Sequence, residues 1–131
     1  MRVAVFGSGA IGGIVGAHLA RHAQAHPESE LSVALVARGE QLAAMRRGGL
    51  EIHWDDDSAS AHAGATWVVR ENGGAVRFVD SESPAELAQV GAVDYLLCTV
   101  KGFAIAPSLP QITPLLDERS TFVNLHNGLP L

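Results

Sequence analysis

Gly7, Gly9 and Gly12 stand in the spacing G-x-G-x-x-G, directly after the apolar, β-branched run Arg2 to Phe6 and before a mostly apolar stretch from Ala10 to about His22. No other feature of the chain restricts its fold so far. The segment reads as strand, tight turn and helix. In that geometry the first glycine lets the chain leave the strand abruptly. The second removes a Cβ where backbone would approach a pyrophosphate, and the third lets the helix lie close to the sheet. Ser8, Ala10 and Ile11 complete the candidate cofactor-binding turn. The helix start at Ala10 to Gly12 would offer unpaired N–H groups and the positive end of the helix dipole to the anion. Gly16 extends the small face by one more turn.

The same residues admit two other readings. Val3 to Ala20 lacks Asp, Glu, Lys and Arg, follows one basic residue and is trailed by Ala23-Gln24-Ala25, which outlines a secretory signal peptide. Gly12-x-x-x-Gly16 is also the small-residue spacing of paired membrane helices. Five glycines in this run weigh against both, since each costs a helix interior roughly 1 kcal/mol relative to Ala.

With 131 residues the chain reads as one domain, long enough to bury roughly two thirds of its unfolded surface. Cys98 is the single cysteine, so an intrachain disulfide is excluded and a reducing compartment, the cytoplasm, is expected. Nine basic against fourteen acidic residues leave a net charge of −5. That balance provides no footprint for nucleic acid or an anionic membrane, and any anion must be bound locally.

Leu31 to Ala37 is a near-continuous apolar run with the composition of a strand buried on both faces, so the chain opens β-α-β. At the tip of such a second strand, roughly 20 residues beyond the glycines, enzymes that prefer NAD carry an acidic residue for the ribose 2′-hydroxyl. Here the tip is Ala37-Arg38-Gly39. Arg38 brings a planar cation to the place of a 2′-phosphate, which points to NADP(H) rather than NAD, although a solvated helix-cap arginine would look the same. Glu40 to Arg47 reads as a short amphipathic helix closed by Gly48-Gly49, and Leu50 to Trp54 as the third strand. Asp55 to Gly74 reads as a β-excursion on the sheet edge, with Asn72-Gly73 as a hairpin turn before Ala75 to Val79. Asp55, Asp56 and Asp57, flanked by His53 and His62, read as a solvated turn rather than a metal site, because three adjacent carboxylates cannot converge on one ion.

Ser83-Pro84-Ala85-Glu86 opens a further helix, and Val93 to Val100 reads as a fourth strand with Cys98 as a buried small hydrophobe. Lys101 stands at the C-terminal end of that strand, the side of an open parallel sheet on which ligands sit, although by residue type and position alone a snorkelling surface lysine is the commoner reading. Phe103 to Leu116 has helical spacing interrupted by Pro107, Pro110 and Pro114, so a short, kinked or broken helix is expected. Ser120 to Leu125 forms a fifth strand, and His126-Asn127-Gly128 follows at the same edge as Lys101 and the glycine turn, although Asn-Gly alone is usually just a turn. The fold expected is α/β, a Rossmann-type doubly wound parallel sheet in the order 3-2-1-4-5.

Taken together, the stretches GSGAIGG at Gly7 to Gly13, ARGE at Ala37 to Glu40, AMRRGGLEI at Ala44 to Ile52, DYLLCTVKGF at Asp94 to Phe103 and NLHNGLP at Asn124 to Pro130 resemble the ketopantoate reductases, 2-dehydropantoate 2-reductases, along nearly the whole chain. The resemblance implies that residues 1–131 are an NADP-binding Rossmann domain, with a helical C-terminal substrate domain absent. It implies reduction of a small 2-oxo acid, ketopantoate, to pantoate by NADPH on the route to pantothenate. By the same resemblance Gly7, Gly9 and Gly12 hold the pyrophosphate and Arg38 the 2′-phosphate. Lys101 and Asn127 lie beside the nicotinamide ribose and the substrate, with Asn127 the one position of this chain placed at the reacting centre. The family draws its general-acid lysine from the C-terminal domain, so these residues alone are expected to bind NADPH without turnover. The sequence departs from the family at His126, where Gln is more common, and at Pro130, where Gly is. A homodimer is compatible with the sequence. Two other readings share the glycines: a stand-alone dinucleotide-sensing module, and part of a two-domain opine or sugar-acid dehydrogenase. Arg38 disfavours the first, and the Val100-Lys101 and His126-Asn127-Gly128 pair the second.

Overall fold

Residues 1–7, 9–56 and 61–125 are described by the computed structural model. In chain order the elements are β1 (Arg2–Phe6), α1 (Ala10–Ala25), β2 (Ser32–Ala37), α2 (Gly39–Gly48), β3 (Leu50–His53), β4 (Thr66–Val69), β5 (Val76–Asp80), α3 (Pro84–Val90), β6 (Tyr95–Cys98), α4 (Gly102–Ile112) and β7 (Thr121–Asn124), with 3-10 turns at Pro27–Ser29 and Thr113–Leu115. Five strands form one sheet in the order β5-β2-β1-β6-β7, and every pairing in it is parallel. No described helix is long and apolar enough to cross a membrane.

Alternation along the central strands divides the interior in two. Val5, Val33, Leu35 and Ala37 face a core shared with Ala17, Ala20 and Ala23 of α1, Leu42 and Met45 of α2, and Val76 and Phe78 of β5. Their neighbours Ala4, Phe6, Ala34 and Val36 face the other core, with Leu87 and Val90 of α3, Leu96 and Cys98 of β6, and Ile112 of α4. Both faces of β1 and β2 are therefore dry, which is why these strands carry almost no polar residue.

The expected order 3-2-1-4-5 is the observed one when only the parallel strands are counted, but the third of them is Val76–Asp80 rather than Leu50 to Trp54. Leu50–His53 instead pairs antiparallel with Thr66–Val69 in a separate two-stranded sheet. That sheet packs Leu50, Trp67 and Val69 onto the side of the core covered by α1 and α2, not onto the edge of the parallel sheet. The physical reason lies in the residues. Glu51 and His53 alternate with Leu50 and Ile52, so this strand can bury one face only, whereas Phe78 and Val79 are both buried on β5. Asn72 does form a turn, its Oδ1 accepting from the N–H of Ala75 and Val76. The strands on either side of it belong to different sheets.

Two helices also differ from expectation. The first runs on to Ala25. The last continues through Pro107 and Pro110 for eleven residues. Those prolines remove the N–H groups that would bond Phe103 and Ala106, but both residues are exposed, so their carbonyls can be satisfied by water. Elsewhere Ser83 caps α3 by accepting from the Glu86 N–H at 3.2 Å. Arg2 donates to the carbonyls of Val90, the last residue of that helix, and of Ala92 just after it.

An aromatic layer joins α1 to the two-stranded sheet. The Trp67 ring is met edge-on by His18 at 4.8 Å and by His62 at 4.6 Å, and the Arg21 guanidinium lies 3.8 Å from its centroid. Leu35 is among the largest fully buried side chains of the same core, 1% exposed. Truncating it to Ala is expected to cost about 2–5 kcal/mol, read as a lowered denaturant midpoint; an unchanged midpoint would contradict the packing described.

Candidate functional site

Parallel register brings four chain crossings to one level. Phe6 pairs with Val36 on one side and Cys98 on the other, Ala37 with Asp80, and Cys98 with Asn124. Just beyond, the ladder is continued by Gly7 N–H to Val36 O, Ser81 N–H to Ala37 O, Thr99 N–H to Phe6 O and Leu125 N–H to Cys98 O, at 2.9–3.0 Å. Gly7, Arg38, Ser81, Thr99 and Leu125 therefore begin the loops of one rim, the C-terminal rim on which open parallel sheets bind ligands.

The glycine turn has the shape that its spacing implies. Gly7 adopts φ +100°, in the region that side chains rarely adopt. A Cβ built on Gly12 would lie 2.0 Å from the Gly7 carbonyl oxygen and 2.5 Å from the Thr99 hydroxyl. A Cβ on Gly9 would meet nothing within 4 Å. Gly9 is the N-cap of α1; it offers no side-chain cap, and no acidic residue occupies the helix's first turn. The first-turn N–H groups of a helix have no intrahelical acceptor, and here Ala10 and Ile11 are exposed. Fixed donors, a positive dipole end and an open approach at Gly9 fit a pyrophosphate.

Arg38 is exposed at the tip of β2, where its backbone forms the N-cap of α2 and its side chain makes no capping bond. No ion pair engages it among the described residues. Glu40, two residues on, sits in the first turn of α2, where it answers that helix's own dipole. Lys101 is exposed as the N-cap of α4, on the same rim. The next residue but one, Phe103, is 80% exposed. Of the remaining candidates, Ser8 and Asn127 lie outside the described residues, as does Asp57. His53 bonds Thr66 at 3.1 Å and His62 joins the rings around Trp67, so neither comes to this rim. Cys98 is fully buried, and desolvation pushes its thiol above the ordinary range, against a smaller downward pull from the Val100 N–H.

Two rim residues were not singled out by the sequence reading. Ser81 is a buried polar residue. Thr99 braces the glycine turn, its hydroxyl lying 2.6 Å from Gly7 O. A hydroxyl immediately after an apolar strand and two residues before the single lysine was the available signal for Thr99.

The second and third glycines of the motif predict different outcomes. Gly12→Ala forces backbone apart and should cost about 1–3 kcal/mol, a fall of several degrees in thermal midpoint. Gly9→Ala adds its methyl to open space and should leave the midpoint nearly unchanged. Circular dichroism melts of the two variants check this, and equal melts would refute it.

Comparison with known proteins places the chain in a family. Residues 3–130 match the family described as ketopantoate reductase PanE/ApbA. The curated 2-dehydropantoate 2-reductase of Mesorhizobium japonicum is 32% identical over 130 residues, 99% of this chain and 32% of that protein. The crystal structure of 2-dehydropantoate 2-reductase from Porphyromonas gingivalis superposes with a TM-score of 0.76 at 29% identity, covering 98% of this chain and 39% of that one. A ternary structure of D-mandelate dehydrogenase with NADH and anilino(oxo)acetate shares the fold, with a TM-score of 0.70 at 21% identity over 98% of this chain and 34% of that one. The chain thus spans about a third of the length of the curated relative that it matches. With a glycine turn, a basic strand tip and a lysine on one rim, and with the family's pattern running through residues 3–130, the chain belongs to the ketopantoate reductase family.

Proposed function

We propose that this chain holds NADPH along the C-terminal rim of its sheet and that, in the whole protein, the bound cofactor reduces a 2-oxo acid, ketopantoate, to the 2-hydroxy acid pantoate. The observation that carries the reading is the open first turn of α1 at Gly9, with Arg38 exposed at the neighbouring strand tip. The α1 amides would take the pyrophosphate. Arg38 would take the 2′-phosphate, for which a guanidinium fork is better matched than for a neutral ribose. The dinucleotide supplies the hydride. Lys101 lies on the side of the glycine turn away from Arg38, beyond the end of β6, which suits a contact to the nicotinamide ribose. Asn127 is assigned by family resemblance to positioning nicotinamide and substrate. The relatives named 2-dehydropantoate 2-reductase support the choice of substrate, and the neighbour bound to NADH supports a nicotinamide dinucleotide on this fold.

A charge-assisted bond at Arg38 is worth about 1.5–3 kcal/mol, so NADPH should bind roughly ten- to hundredfold more tightly than NADH. Calorimetric titration of both nucleotides should show that preference, and Arg38→Ala should abolish it; equal affinities in the unmodified protein would refute the NADP assignment.

Proton delivery to the substrate oxygen needs an acid that Lys101 is not assigned to supply, and Lys101 is the single lysine in these residues. These 131 residues alone are therefore expected to bind NADPH without turning over. Steady oxidation of NADPH by ketopantoate in their presence would overturn that expectation.

A further inference from the structure

We infer that Thr99 is a positioning residue of the cofactor site, its hydroxyl holding the glycine turn and the Lys101 segment in one arrangement; the inference rests on the dinucleotide reading above. Thr99 and Gly7 are separated by 92 positions. The Thr99 N–H extends the β1–β6 ladder by bonding Phe6 O at 3.0 Å. Its Oγ1 lies 2.6 Å from Gly7 O and 3.2 Å from Phe6 O. A hydroxyl has one proton to donate, and the shorter contact takes it.

Three residues interlock at this point. The Thr99 hydroxyl fills the notch left by two absent side chains, since a Cβ would meet it at 2.9 Å on Gly7 and at 2.5 Å on Gly12. Gly7 O in turn sits against the first turn of α1, 2.0 Å from where a Gly12 Cβ would be. The hydrogen bond holds the Gly7 carbonyl at the point where the chain leaves β1. Strand β6 thereby sets the turn that would face the pyrophosphate. Two residues after Thr99 the same segment presents Lys101 to the rim. Valine would match the shape and the strand preference of threonine, so what distinguishes this residue is the hydrogen bond.

The test compares Thr99→Val and Thr99→Ser in the purified protein by calorimetric titration with NADPH and with adenosine 2′-monophosphate, which offers the 2′-phosphate but no pyrophosphate. Thr99→Val should weaken NADPH by about tenfold or more while leaving adenosine 2′-monophosphate within about twofold, and Thr99→Ser should stay within about threefold of the unmodified protein for both. Val binding NADPH as well as Thr does would overturn the inference. So would a parallel loss of both ligands, the signature of a merely structural role. If Thr99→Val fails to fold, Thr99→Ala removes the hydroxyl without setting a methyl against the carbonyl, and the same results decide. Failure of the unmodified protein to bind NADPH would overturn the cofactor reading itself, and this inference with it.

Discussion

The close approach of helix α1 to the central strands is the constraint on which the rest of the structure depends. Its buried face consists of Gly12, Gly13, Gly16, Ala17, Ala20 and Ala23, with no larger side chain. A Cβ on Gly16 would lie 2.6 Å from Leu35 Cδ2, so the helix rests almost directly on the β2 side chains. That proximity lets α1 start immediately beyond Gly7 and directs its N-terminal amides over the end of β1. A helix with larger residues on this face would stand further off the sheet. Its dipole would then miss the rim.

Given that placement, register builds the site. Parallel strands carry all their C-terminal ends to one edge, and the bonds made just past four of the five strands by Gly7, Ser81, Thr99 and Leu125 keep those ends level. Two cations, Arg38 and Lys101, flank the uncharged glycine turn on a chain whose net charge is −5. On the proposed reading, anion affinity would be a local property of the rim, created by dipole and two side chains rather than by an overall field.

The candidate site was readable from sequence where chemistry is carried by a local pattern. Gly7, Gly9 and Gly12 lie within six residues, and Arg38 and Lys101 each follow an apolar strand. Thr99 was not readable in the same way, because the partner of its hydroxyl lies at the other end of the chain. The pairing of Leu50–His53 was misassigned for a related reason. A strand's neighbours are set by distant segments, and two β-runs, Leu50–His53 and Val76–Asp80, competed for the place beside β2. Alternating Glu51 and His53 against the doubly buried Phe78 and Val79 would have separated them.

The sequence by itself determined the β-α-β opening, the direction of the sheet and the identity of the glycine turn. These follow from steric limits on a few consecutive residues and from apolar runs that can only be buried on both faces. Only the tertiary structure decided which run is the third parallel strand, that His18, Arg21, His62 and Trp67 form one layer between α1 and the two-stranded sheet, and that the Thr99 hydroxyl bonds the Gly7 carbonyl. Those features depend on contacts between residues tens of positions apart, and periodicity along a chain carries no information about which distant partner completes a contact.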